Sequence, residues 1–95
     1  MDQTDVSERG FRIRGRVQGV GFRWWTRSMA EELGLAGSVK NLRDGTVEIR
    51  VRGSADAVRT FRGRLGKGPP GARVDDVRET SSSLPLPDGR FTIAF

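Results

Sequence analysis

At 95 residues the chain has the size of a single domain with one modest core. Hydrophobic residues make up 35% and charged residues 31% of it, and no apolar run approaches the roughly 20 residues that a membrane helix needs. Cysteine and histidine are both absent, which excludes disulfides, Cys/His metal sites, thiol nucleophiles and serine-histidine triads, while a net charge of +5 suits an anionic partner without saying which.

Met1 to Ser7 are polar and acidic, with neither the basic start nor the apolar stretch of a secretion signal. They read as a flexible segment, 1–7, ahead of one domain, 8–95, in a cytoplasmic protein. From Arg9 to Val17 apolar and arginine positions alternate, with Phe11, Ile13 and Val17 on one face and Arg12, Arg14 and Arg16 on the other, the pattern of a half-buried strand. After a turn punctuated by glycines, Phe22, Trp25, Met29 and Leu33 recur at helical spacing, and Gly34 supplies a stop. A second strand is expected over 36–41. The pair Asp44-Gly45 then makes a turn, and Val47, Ile49 and Val51 alternate with Glu48, Arg50 and Arg52 in a third strand.

Ser54 is placed to cap a second helix with the stripe Val58, Phe61 and Leu65, ending near Gly66. A proline-containing loop follows, and a fourth strand is expected over 73–80, where Val74 and Val77 are out of phase and imply a bulge. A further loop carries Pro85 and Pro87, and Phe91, Ile93 and Phe95 alternate in a short closing strand. This order predicts an α+β fold, a ferredoxin-like split β-α-β sandwich with a mixed sheet and two helices on one face. Its other face would carry the charged residues of the first and third strands as a solvated surface.

In that arrangement the first and second strands are parallel, so their carboxyl ends reach the same edge of the sheet. The loop after Val17 and the residue Asn41 therefore converge. The segment Gln18-Gly19-Val20-Gly21-Phe22-Arg23 joins strand to helix, and its glycines free the backbone to turn N-H groups toward an anion at the helix start. Arg23 adds a planar fork suited to phosphate oxygens. Taken singly, each feature also has a plainer reading: a tight turn for the loop, a solvated helix residue for Arg23, a turn residue for Asn41. The acidic pairs Glu31-Glu32 and Asp75-Asp76 make no metal site, because adjacent side chains diverge on a helix or strand. Trp25 reads as core, Trp24 as a flank of the loop, and Arg16 and Arg43 as surface residues near the same edge.

The run Gly15-Arg16-Val17-Gln18-Gly19-Val20-Gly21-Phe22-Arg23 resembles the first signature of the acylphosphatase family. The run Gly37-Ser38-Val39-Lys40-Asn41, continued by Gly45, Val47 and Gly53, resembles the second. Similarity continues through Gly68 to Val77 and Phe91 to Phe95, so it spans nearly the whole chain. One departure is Ser38, where the family usually carries an aromatic residue. The resemblance implies hydrolysis of acyl phosphates without metal or other cofactor. It makes Arg23 the phosphate-binding arginine, Asn41 the residue that positions the attacking water, and the backbone of Gln18, Gly19, Val20, Gly21, Phe22 and Arg23 the phosphate cradle.

That chemistry agrees with the inventory. A carboxylate leaving group has a conjugate-acid pKa of roughly 4, so it departs at neutral pH without a general acid, and positioning plus charge stabilisation suffice. The expected partner is a small-molecule acyl phosphate, with no nucleic acid and no membrane, and the expected state is a monomer. The alternative is a ferredoxin-like RNA- or anion-binding module without catalysis. Against it, the outward positions of the first and third strands carry Arg and Glu where base stacking would need aromatic rings.

Overall fold

The alternation expected from Arg9 onward is realised in a strand that starts earlier, β1 at Val6–Arg16, in a computed structural model that describes residues 5–95. Of the segment expected to be flexible, residues 1–4 lie outside the described residues. Val6 and Ser7 are already strand, paired with Ser54 and Gly53. The chain continues through α1 (Phe22–Glu32), β2 (Ala36–Asn41), β3 (Val47–Ser54), α2 (Ala55–Leu65), β4 (Arg73–Thr80) and β5 (Phe91–Ala94).

The strands form one mixed sheet in the order β4-β1-β3-β2-β5. β3 is antiparallel to both β1 and β2, which makes β1 and β2 parallel as the connectivity predicts. β5 joins the edge parallel to β2, with Gly37 opposite Phe91 and Lys40 opposite Ala94. It therefore carries Phe95 to the end of the sheet where β2 finishes at Asn41. α1 lies over β2 and β5, and α2 over β1 and β3, so both helices cover one face. This is the ferredoxin-like α+β sandwich.

The register sets Phe11 opposite Ile49 and Ile13 opposite Val47, so apolar positions of neighbouring strands share the helical face. All four are fully buried. From α2, Val58, Phe61 and Leu65 meet them, and the ring of Phe61 lies 6.3 Å from that of Phe11 and 6.5 Å from that of Phe91. Each such side chain contributes about 1.5–3 kcal/mol by leaving water. α2 begins as its sequence predicts: Ser54 Oγ accepts the Ala57 N-H at 3.1 Å, and Asp56 stands in the first turn.

The out-of-phase valines of β4 are explained by a bulge. Arg14 pairs with Asp76 but Gly15 with Val74, so Asp75 is the extra residue. Val74 and Val77 can then both pack against the core.

The far face of the sheet departs from expectation. Arg14, Arg16 and Arg52 are exposed, but residues 81–90 run from β4 at one edge to β5 at the other across this face. The crossing is pinned in order along the sheet. Ser82 Oγ donates to Glu48 Oε2 at 2.6 Å, Arg50 Nη1 donates to the Leu84 carbonyl at 2.8 Å, and Ser38 Oγ donates to the Pro85 carbonyl. Ser38 and Leu84 are buried beneath and within it. The segment joins the two edge strands β4 and β5, and the small, buried Ser38 side chain lets it lie close to β2.

Candidate active site

Three parallel strands, β1, β2 and β5, end at one edge of the sheet, and the 17–21 loop, Asn41 and Phe95 follow from those ends. Gly19 and Gly21 both adopt φ of 76°, in the left-handed region that a side chain would strain. This conformation turns the chain sharply from β1 into α1. From Gly19 to Trp24, no backbone N-H has an acceptor among the described residues. The start of α1 differs from that of α2 in kind. No side chain caps it and no acidic residue stands in its first turn, so its N-H groups and its dipole remain available to an anion.

Gln18 acts through its side chain as well as its place in the loop. Its Nε2 donates to the Leu42 carbonyl at 2.8 Å and to the Thr46 carbonyl at 2.9 Å, tying the loop to the turn between β2 and β3. The turn is itself closed by Leu42 N-H to Thr46 O at 2.8 Å and by Asp44 Oδ1, which accepts the Thr46 hydroxyl at 2.6 Å and the Thr46 N-H at 3.0 Å. These bonds from Thr46 hold the Asp44 carboxyl below the usual carboxylate range, with a smaller contribution from the Arg12 charge. Asn41 ends β2 immediately before this turn. Its Oδ1 is buried and has no hydrogen-bond donor.

Arg23 lies one residue inside α1, partly buried. Its guanidinium carbon sits 5.1 Å from the centroid of the Phe95 ring. Stacking on a ring occupies the flat face of a guanidinium and leaves its in-plane N-H groups free for an oxyanion. Trp25 packs against the core, 5.3 Å from the Phe22 ring, whereas Trp24 is exposed, as their positions in the sequence led us to expect.

All the residues singled out in the sequence thus belong to one end of the sheet. Two further parts of the site were not legible in the sequence, the pair of hydrogen bonds donated by the Gln18 amide and the Phe95 ring beside Arg23. A glutamine in a glycine-rich loop and an aromatic residue in an alternating strand are both unremarkable locally. Only the register of β5 and the closure of the 42–46 turn give them partners.

A ferredoxin-like α+β sandwich with an uncapped helix start, an arginine in the first turn and a buried amide beside them has the chemistry of an oxyanion site. Comparison with known proteins makes this specific. The acylphosphatase family model matches residues 9–93. An acylphosphatase of Mannheimia succiniciproducens is 49% identical over 83 residues, covering 87% of this chain and 92% of the relative. The crystal structure of acylphosphatase from Bacillus subtilis superposes with a TM-score of 0.85 at 37% identity, over 95% of this chain and 99% of that one. An acylphosphatase from Coxiella burnetii superposes with a TM-score of 0.86 at 34% identity, over 99% and 100%. The chain belongs to the acylphosphatase family, and it is a hydrolase of acyl phosphates.

Proposed function

We propose that the phosphoryl group of an acyl phosphate sits on the N-H groups of the 18–23 loop and the Arg23 guanidinium, with Asn41 holding the attacking water. The observation that supports this reading is the coincidence of unpaired donors at the α1 start with the unpaired Oδ1 of Asn41. Asn41 holds the water through its amide and aims the water's oxygen at phosphorus. As the new P–O bond forms, the bond between phosphorus and the acyl oxygen breaks, and its electron pair leaves with the carboxylate. The leaving group needs no proton at neutral pH. The water's proton passes to a phosphate oxygen or to solvent, because an amide is too weak a base to keep it. The donors act on charge that develops on the phosphoryl oxygens, the kind of contact that lowers a barrier most effectively.

In this reading the reaction uses no metal ion. Among the described residues no group of three or more Asp and Glu side chains stands together to hold one, and the chain has no His or Cys to supply other ligands. The protein acts as a cytoplasmic monomer. No helix among the described residues is long and apolar enough to cross a membrane. The RNA-binding alternative finds no support, since the face on which bases would stack bears charged side chains and is crossed by residues 81–90.

The experiment is hydrolysis of benzoyl phosphate with EDTA and no added metal, beside folded Arg23→Ala and Asn41→Ala variants. Each variant is expected to lose about 100-fold or more in kcat, the worth of one donor aimed at developing charge. Turnover that persisted in either folded variant would remove that residue from the mechanism, and dependence on added metal would overturn the metal-free reaction. Sedimentation velocity on the same sample tests the monomer.

A further inference from the structure

Asn41 is the last residue of β2 in register with β3, opposite Val47, so the strand pairing ends at the residue proposed to hold the water. Beyond that pair, the path of the chain is set by bonds within residues 42–46. Two backbone bonds close this loop, Leu42 N-H to the Thr46 carbonyl at 2.8 Å and Gly45 N-H to the Leu42 carbonyl at 3.2 Å. Gly45 takes the φ of 91° that the reversal uses. The hairpin is therefore closed by backbone alone.

Asp44 adds something that the reversal does not require. Its Oδ1 accepts both the hydroxyl of Thr46 at 2.6 Å and the Thr46 N-H at 3.0 Å. Its Oδ2 faces Arg12 of β1 at 3.9 Å, and Arg12 in turn meets Glu48, its cross-strand neighbour, at 3.7 Å. The carboxylate is thus drawn from two sides, yet its side chain is 59% exposed, where an ion pair adds little to overall stability. What it fixes is local. The carbonyl of the same Thr46 accepts the Gln18 Nε2 at 2.9 Å, so a rocking of residue 46 would shift the cradle loop against Asn41.

We infer that Asp44 is a positioning residue of the hydrolysis: its carboxylate locks Thr46 in place and so sets the distance between the water on Asn41 and the phosphoryl group on the 18–23 loop. The inference rests on the phosphate-site reading above and adds to it a residue that touches neither water nor substrate. Asp44 acts as an acceptor. An amide in its place keeps an oxygen for the two bonds from Thr46, whereas a methyl group loses both.

The test is kcat and KM for benzoyl phosphate in Asp44→Ala and Asp44→Asn, with Asp44→Ala made also in an Asn41→Ala background. Asp44→Ala is expected to lower kcat about tenfold and leave KM within about twofold, since a displacement of the order of 1 Å at the reacting centre costs up to about 100-fold in rate. Asp44→Asn should restore most of that loss. In the Asn41→Ala background, Asp44→Ala should change kcat by less than about twofold, because the group it positions is gone and the two effects cease to add. Thermal melts of each variant check that all are folded at the assay temperature. An unchanged kcat in Asp44→Ala, an equal loss in Asp44→Asn, or the same loss in both backgrounds would overturn the positioning role while leaving the phosphate site intact. Full activity in folded Asn41→Ala would instead overturn the reading beneath it.

Discussion

One amide nitrogen, Nε2 of Gln18, donates to two carbonyl oxygens 24 and 28 residues away, and these bonds fix the gap between the cradle loop and Asn41. Neither carbonyl is orphaned without it, since Leu42 O also accepts the Gly45 N-H and Thr46 O the Leu42 N-H. Removing the side chain therefore costs stability only modestly, about 1 kcal/mol. The cost to catalysis should be larger, because a displacement of the order of 1 Å between water and phosphoryl group costs up to about 100-fold in rate. Gln18→Ala is expected to lower kcat about tenfold or more, with KM little changed. Gln18→Glu should be worse in both stability and rate, since a carboxylate would face two carbonyl oxygens. Kinetics with benzoyl phosphate and thermal melts of both variants check this, and a kcat equal to that of the wild type in Gln18→Ala would deny the side chain any positioning role.

Between the two helices, each of 11 residues, the division of labour lies at their starts. α2 is capped by Ser54 and closed, as a helix serving only to cover a sheet should be. α1 forgoes a cap, leaves its first N-H groups open and takes its stability from its buried face, Phe22, Thr26, Met29 and Ala30. Thr26 on that face is fully buried, and its hydroxyl has no partner. Valine has nearly the same shape without the hydroxyl, so Thr26→Val is expected to stabilise the protein by about 1 kcal/mol. For a domain of this size that is a rise in Tm of about 4–8 °C, read by calorimetry. A fall in Tm would show that the hydroxyl finds a bond in solution, as a buried threonine can with a carbonyl one turn earlier.

For the molecule as a whole, the excess of 17 basic over 12 acidic side chains gives the +5 charge, and the substrate is an anion. The paired charges, such as Arg50 with Glu8 at 2.7 Å and Arg59 with Asp56 at 2.7 Å, are balanced locally and lie at the surface, where each is worth little. The remaining positive field draws the substrate toward an oxyanion site that is itself cationic. KM for benzoyl phosphate should therefore rise several-fold as ionic strength increases from about 10 mM to about 150 mM and the Debye length contracts from about 30 to about 8 Å. kcat should stay nearly constant, since contacts made inside the site are screened far less. Initial rates across a sodium chloride series decide it, and a flat KM would mean that net charge has no part in capture.

The sequence by itself determined the order of the elements, the parallel pairing of β1 with β2, the meeting of the 18–23 loop with Asn41, and the bulge in β4. These follow from periodicity, which reports the face a residue occupies on its own element, and from connectivity, which sends two parallel strands to a common edge. Even the bulge was visible, because an extra residue shifts the phase of Val74 against Val77 within one strand. What only the tertiary structure decided are contacts between residues far apart in the chain whose local patterns are silent about one another. The bond from Ser38 to the Pro85 carbonyl spans 47 residues and turns the departure from an aromatic residue into the seat of the 81–90 crossing. Likewise the parallel register of β5 on β2 delivers the Phe95 ring to Arg23. Periodicity names the face but not the partner, and the partner is fixed only when strand registers and loop paths are settled together by packing.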